Sequence, residues 1–201
     1  MEILHSPVAL VIFISTIACS LYTLYANQSL YFNWVLNPYQ VINNKKYYQL
    51  LTSGFLHADL MHLLFNMLTF YFFVFQLEAI VGSVVFTTIY FASLLIGNLY
   101  TVWKKQTDYN YSSVGASGAI SGALFSFILF YPTAPLLIFP LPFPIPAWLF
   151  GILYLLWTYF ASRRSFDMIN HYAHLFGAIG GILVTVLLYP EIIMHFINQL
   201  F

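Results

Sequence analysis

A small set of residues in this chain has the types and spacing that chemistry would need: His62, Asn66, Ser117 and His174. Serine is a weak nucleophile at neutral pH, so a neighbouring base must take its proton as it attacks. An imidazole can be that base. Groups that donate hydrogen bonds can then stabilise the oxyanion of the tetrahedral intermediate. The set therefore predicts acyl-transfer chemistry, provided that the fold brings its members together.

The expected oxyanion donors are the side chains of His62 and Asn66 and the backbone N–H of Ser117. His62 and Asn66 are four residues apart, so they share one face of a helix. The sequence places no acidic residue where it would orient His174. We therefore expect a Ser117–His174 dyad rather than a triad.

The composition identifies the solvent in which this site must work. The chain has 201 residues, of which 61% are hydrophobic and 6% are charged. A soluble domain carries about 25% charged residues, so most of this chain must face lipid. The net charge is zero, which predicts no nucleic-acid partner.

A helix that crosses the bilayer needs about 20 mostly apolar residues. We predict six such helices, roughly over 7–26, 58–80, 83–103, 115–131, 145–162 and 170–189. The first lacks the basic flank of a cleaved signal peptide, so we expect it to remain as a membrane helix. The predicted fold is an all-α membrane protein, a six-helix bundle in a single domain over residues 1–201.

The connections between these helices differ in character. The segment 27–57 is aromatic and mixed, which predicts a structured loop at the membrane interface. The stretch 132–146 is rich in proline and cannot form a regular helix. The tail 190–201 is amphipathic and too short to span the bilayer.

Six membrane crossings would place the candidate catalytic residues at a similar depth in the membrane. The second, fourth and sixth helices all begin on the same side, and His62, Ser117 and His174 each lie near the start of theirs. We therefore expect the three side chains at similar depth in the same half of the membrane.

Small residues indicate how two of these helices approach each other. Gly118 and Gly122 are four apart on the fourth helix, as are Gly177 and Gly181 on the sixth. Small residues at this spacing let two backbones pack closely. Such a contact would bring Ser117 within hydrogen-bond reach of the His174 ring.

These motifs, in this order, resemble those of the rhomboid intramembrane proteases across about residues 45–187. The motifs are a His-x4-His-x3-Asn run at His57, His62 and Asn66, Gly-x-Ser-Gly at 115–118, and Ala173-His174 followed by Gly177 and Gly181. Each motif alone is weak, whereas the ordered set is specific.

The resemblance implies that Ser117 is the nucleophile, that His174 is its base and that His62 and Asn66 stabilise the oxyanion. The supporting positions that it implies are Gly115, His57 and Glu78. It implies no metal and no cofactor. It also implies a multi-pass protein of the bacterial inner membrane whose partners are the lipid bilayer and transmembrane protein substrates, which it cleaves within their membrane segments.

Two positions depart from the family pattern. Tyr48-Gln49 stands where the family often has Trp-Arg, and Ser121 stands where many members have a tyrosine stacked on the catalytic histidine. The charges also conflict with the family topology, because all the basic residues fall in loops opposite both termini. They are Lys45, Lys46, Lys104, Lys105, Arg163 and Arg164. The positive-inside rule places those loops in the cytoplasm, whereas the family topology places them outside, and we follow the family.

Two other functions fit parts of the pattern. A catalytically inactive relative would bind membrane clients, although such members usually lack the serine or the histidine that this chain retains. A transporter or metal-binding protein would use the four histidines His57, His62, His171 and His174, but no membrane carboxylate or cysteine joins them. Outside a functional site, His171 would be interfacial and Glu78 would be a structural cap.

Overall fold

The computed structural model describes residues 5–137, 142–163 and 170–201, and these are mostly helical. The helices are α1 Pro7–Tyr25, α2 Gln28–Trp34, α3 Pro38–Asn43, α4 Gln49–Thr52, α5 Leu60–Thr69, α6 Phe75–Val81, α7 Ser83–Lys105, α8 Ser117–Phe130, α9 Ala147–Ala161, α10 His171–Leu188 and α11 Ile192–Leu200. A 3-10 turn covers Ser53–Phe55, and a π-helical turn over Phe70–Val74 joins α5 to α6. Two short strands, β1 Pro135–Leu136 and β2 Ile145–Pro146, pair antiparallel in the proline-rich connection.

Within the described residues, four helical segments are long and apolar enough to cross a membrane, as in an integral membrane protein. They are α1, the continuous segment Leu60–Val81, α7 and α10. The other two predicted crossings, 115–131 and 145–162, are shorter than expected, because α8 has 14 residues and α9 has 15. Gly115, with its φ of 132°, keeps α8 from starting before Ser117, and the extended Pro146 precedes α9.

The centre of the fold is α8, whose residues 118–128 are all buried. It packs against both α7 and α10, which also contact each other, and glycine makes its packing against α10 possible. A Cβ atom on Gly177 or Gly181 would overlap the backbone of Gly118 or Gly122, respectively. The close helix contact predicted from the glycine spacing is therefore present, with backbone against backbone.

Adding one methyl group at this contact should loosen the bundle. In Gly181→Ala the new Cβ would meet the Gly122 backbone, which cannot move aside. In the control Gly180→Ala, on the same helix, the nearest atom is the flexible Cδ1 of Ile96 at 3.0 Å. We expect Gly181→Ala to destabilise the protein by about 1–3 kcal/mol relative to the control. Thermal unfolding in detergent measures the difference, and equal midpoints would contradict it.

The segment between α1 and α5 is organised by a buried glutamine. Gln49 is fully buried, and its amide donates to the Asn33 carbonyl at 3.1 Å while accepting from the Asn37 N–H at 3.1 Å. Leu36 pairs with Ser113 through two backbone hydrogen bonds of 3.0 Å. The glutamine that departs from the family pattern thus holds this segment together, and the Leu36 bridge ties it to the loop before α8.

Glu78 lies at the other end of the membrane segment and is 1% exposed. Its carboxylate accepts hydrogen bonds from the backbone N–H groups of Val8 (3.1 Å) and Ala9 (2.6 Å) and from the Ser83 hydroxyl (2.6 Å). The first two are unpaired donors at the start of α1, where the helix dipole favours a negative charge. The interpretation of Glu78 as a structural cap is therefore confirmed, and it ties α1 to α6 and α7.

The remaining described features are the C-terminal helix and the basic residues of the loops. The amphipathic tail forms α11, and His195 Nε2 lies 2.9 Å from the Phe130 carbonyl at the end of α8. Lys104 and Lys105 lie in the last turn of α7, the latter with its Nζ 5.2 Å from the ring centre of Tyr111. Arg164 lies outside the described residues.

Candidate active site

Ser117 is the first residue of α8, and the preceding loop fixes its position. The Gly115 N–H donates to the Ser53 carbonyl at 3.0 Å, and Gly115 then turns the chain with a positive φ. The first N–H groups of a helix have no acceptor within it. The nucleophile candidate therefore lies beside free backbone donors, among them its own N–H.

His174 lies one turn into α10, on the face that crosses α8. Its Nε2 lies 2.7 Å from the Ser117 Oγ, a normal hydrogen-bond length for a nucleophile and its base. The two residues are 57 positions apart, and the glycine contact between α8 and α10 brings them together. With the Ser117 hydroxyl as donor, Nε2 is the acceptor that receives its proton.

Gly115 separates His62 from Ser117. A Cβ atom on Gly115 would lie 3.0 Å from His62 Cε1, 3.1 Å from His62 Nε2 and 3.5 Å from Ser117 Oγ. The missing side chain leaves a small gap that both residues line. His62 Nδ1 faces the Ala58 N–H at 3.5 Å, a long contact that favours the ring proton on Nε2, beside the gap.

Asn66 lies one turn further along the same face of α5 and is 8% exposed. Its Nδ2 donates to the His62 carbonyl at 2.9 Å. A primary amide carries two N–H bonds, so this contact occupies one of them. Asn66 is thus bonded to the backbone of His62, and one of its amide hydrogens lies outside that bond.

His57 supports His62 from the loop before α5. The two rings pack edge to face with their centroids 4.9 Å apart. His57 is fully buried, and its Nδ1 lies 2.9 Å from the hydroxyl of Ser20, which in turn donates to the Phe55 carbonyl at 2.9 Å. Burial, reinforced by the neighbouring His62, lowers the pKa of His57 to about 3, so its ring is neutral at neutral pH.

Sequence reasoning did not identify Ser20, the partner of His57 on the first helix. The signal was a polar stripe on an otherwise apolar helix: Thr16, Ser20 and Thr23 recur at helical spacing and are all buried. Such a stripe on a membrane helix indicates the face that turns towards polar partners in the protein.

Ser121 lies one turn below Ser117 and is bonded to a tyrosine from another helix. The Ser121 Oγ lies 2.7 Å from the hydroxyl of Tyr154, on α9. The resemblance implies a tyrosine at this position, whereas here the serine is bonded to the phenol of a tyrosine from α9. Nothing in the sequence linked Ser121 to Tyr154, because the contact joins two different helices.

His171 is buried within the protein at the start of its helix. It is the first residue of α10 and only 3% exposed. Its ring packs edge-on against Trp157 of α9 (centroids 5.1 Å apart) and His174 (6.1 Å apart). Of the four histidines considered as metal ligands, the other two lie elsewhere: His57 in the loop before α5 and His62 on α5. The described residues hold no group of three side chains that could bind a metal ion.

The Rhomboid domain family matches residues 44–191. The chain is 37% identical over 148 residues to YdcA of Bacillus subtilis (strain 168), whose name assigns it provisionally to the rhomboid proteases. It is 31% identical over 134 residues to Rhomboid protein 1, mitochondrial, of Saccharomyces cerevisiae. These matches cover 73% and 65% of this chain, and 69% and 39% of the respective relatives.

Proposed function

Because this chain belongs to the rhomboid family, we propose that it is an intramembrane serine endopeptidase that cleaves transmembrane segments of other proteins. Ser117 is the nucleophile and His174 the general base. The observation that carries the proposal is the 2.7 Å contact between Ser117 Oγ and His174 Nε2. A serine needs such a base to attack a peptide bond at neutral pH.

In the first half of the reaction, His174 Nε2 takes the proton of Ser117 Oγ as this oxygen attacks the carbonyl carbon of the substrate. The resulting oxyanion accepts hydrogen bonds from His62 Nε2–H, the Asn66 amide and the Ser117 N–H. The His174 imidazolium then gives its proton to the leaving amine nitrogen, and the C–N bond breaks.

In the second half, a water molecule attacks the acyl-enzyme ester while His174 takes one of its protons. The second tetrahedral intermediate collapses, and the proton returns to Ser117 Oγ. The products are a free carboxylate and the regenerated dyad. Each donor to the oxyanion is worth about 100- to 1000-fold in rate, which gives His62 and Asn66 their importance.

We further propose that α8 and α9 cross the membrane with the four longer helical segments, giving a six-crossing bundle in a single domain. All three catalytic elements then reach the site from the same side: the start of α5, of α8 and of α10. The bundle resides in the bacterial inner membrane. Its site opens on the side opposite the termini, where an unwinding substrate helix can present a peptide bond.

A fluorophosphonate probe tests the proposal, because it reacts covalently with activated serines. The purified protein in detergent should be labelled, and mass spectrometry should locate the probe on Ser117. Heat-unfolded protein is the control and should not be labelled, since activation depends on the folded dyad. Absence of label on the folded protein would favour the alternative, an inactive relative that binds membrane clients.

A further inference from the structure

Asn170 immediately precedes α10 and uses both ends of its amide. Its Oδ1 accepts from the Ala173 N–H at 3.1 Å and so caps the helix that carries His174. Its Nδ2 donates to Thr101 Oγ1 at 3.1 Å and to Ser113 Oγ at 3.0 Å. One side chain therefore joins three parts of the fold.

Each residue that accepts a hydrogen bond from the Asn170 amide is fixed in place by a further hydrogen bond. Thr101 is fully buried in α7, and its hydroxyl donates to the Gly97 carbonyl at 2.9 Å. Ser113 lies in the loop before Gly115, where its backbone pairs with Leu36. Asn170 thus ties α10 to a fixed point on α7 and to the loop that leads to the nucleophile.

The bond between Asn170 and Ser113 joins the same two stretches of chain as the bond between His174 and Ser117. Asn170 and Ser113 are 57 positions apart, as are His174 and Ser117, and each member of the first pair precedes its counterpart by four residues. The two hydrogen bonds, of 3.0 Å and 2.7 Å, are therefore successive links between the same two stretches of chain.

We propose that Asn170 is a positioning residue that sets the distance between Ser117 and His174 through its bond to Ser113. The inference rests on the proposed protease function and adds to it a residue outside the catalytic set. A cap alone would not need asparagine, since serine and aspartate cap helices equally well. Only an amide combines the capping oxygen with two N–H donors on the same group.

The test separates the capping role from the positioning role. Asn170→Ser keeps a capping oxygen but is too short to reach Ser113, and Ser113→Ala removes the acceptor while leaving the cap intact. Each should lower the second-order rate of fluorophosphonate labelling by about 10- to 100-fold, because small misplacements of reacting groups cost that much. The unfolding midpoint should remain near that of the wild type.

Two further variants sharpen the result. The double variant Asn170→Ser/Ser113→Ala should be labelled no more slowly than Asn170→Ser alone, since Asn170→Ser already removes the bond to Ser113 together with the bond to Thr101. Ser113→Thr keeps the hydroxyl and should retain the wild-type rate. Unchanged rates in both single variants, or losses that multiply in the double variant, would overturn the proposal.

The outcome also distinguishes this inference from the protease function. Wild-type labelling with unchanged rates in the variants would refute the positioning role alone. If the folded wild type takes no label, the 15N shifts of the His174 ring, which report its bond to Ser117, provide the readout. Those shifts should change in Asn170→Ser and Ser113→Ala, and unchanged shifts would refute the positioning role.

Discussion

Alanine in place of Ser117 or His174 is expected to abolish fluorophosphonate labelling and to lower peptide hydrolysis by about 1,000- to 1,000,000-fold. Without Ser117 no acyl-enzyme forms. Without His174 the hydroxyl loses the base 2.7 Å away and reverts to an ordinary alcohol. Because the two act as one unit, the double variant should be no worse than the worse single variant.

Matched substitutions elsewhere in the same chain control for folding. Ser126 lies on the same helix as Ser117, and its hydroxyl donates to the Gly122 carbonyl at 2.9 Å. His195 lies on α11 against the end of α8. Ser126→Ala and His195→Ala should still be labelled at Ser117. Labelling of His174→Ala at the wild-type rate would show that another group activates the serine.

Gly115→Ala is expected to lower the labelling rate by about 100- to 1000-fold while the protein remains folded. The new methyl group would occupy the gap between the His62 ring and the Ser117 hydroxyl, 3.0 Å from the nearest ring carbon. An oxyanion could then no longer reach the His62 donor. The loss should equal that of removing the donor, so Gly115→Ala and His62→Ala should have similar rates.

Gly82→Ala isolates the effect of backbone strain from the effect of the gap. Gly82 also has a positive φ, of 76°, but a Cβ there would meet no atom within 4 Å. It lies at the opposite end of the membrane segment, between α6 and α7. Gly82→Ala should cost about 1–3 kcal/mol of stability, because a φ of 76° with a ψ of 162° is a region that glycine almost alone occupies, and should leave the labelling rate of the folded protein intact. Equal rate losses in the two glycine variants would contradict the role of the gap.

The convergence of His62, Ser117 and His174 could be predicted because it depends on simple regularities. Because successive membrane helices alternate in direction, the first residues of every second helix lie on the same side of the membrane. Glycines four residues apart let two helices pack in direct contact. The structure confirms the contact of α8 with α10 and the pairing of Ser117 with His174. The position of Glu78 near the end of its helix predicted a structural cap, and its bonds to the start of α1 agree with that prediction.

Contacts that depend on the rotation of one helix relative to another could not be predicted. The bond between Ser121 and Tyr154 forms only if α9 is rotated about its axis so that Tyr154 faces α8. The bond between Ser20 and His57 likewise depends on which face α1 turns towards the loop before α5. The length of α8 depended on the backbone of Gly115, whose conformation a glycine permits but does not require. These two polar pairs are therefore contacts of the site that only the structure supplies.

The π-helical turn at Phe70–Val74 sets the register between the two functional ends of its helix. In an uninterrupted α-helix, Glu78 would point about 120° away from Asn66, since successive residues rotate by about 100°. A π turn absorbs one residue, which reduces the angle to about 20° and turns both buried side chains the same way. Deleting one residue from this turn would leave a regular α-helix with the Glu78 carboxylate still about 20° from Asn66, whereas inserting one more residue there would swing the anchor for α1 by about 100°. The helix places the proposed oxyanion donors near one end and the anchor for α1 near the other, and the turn over Phe70–Val74 sets the angle between them.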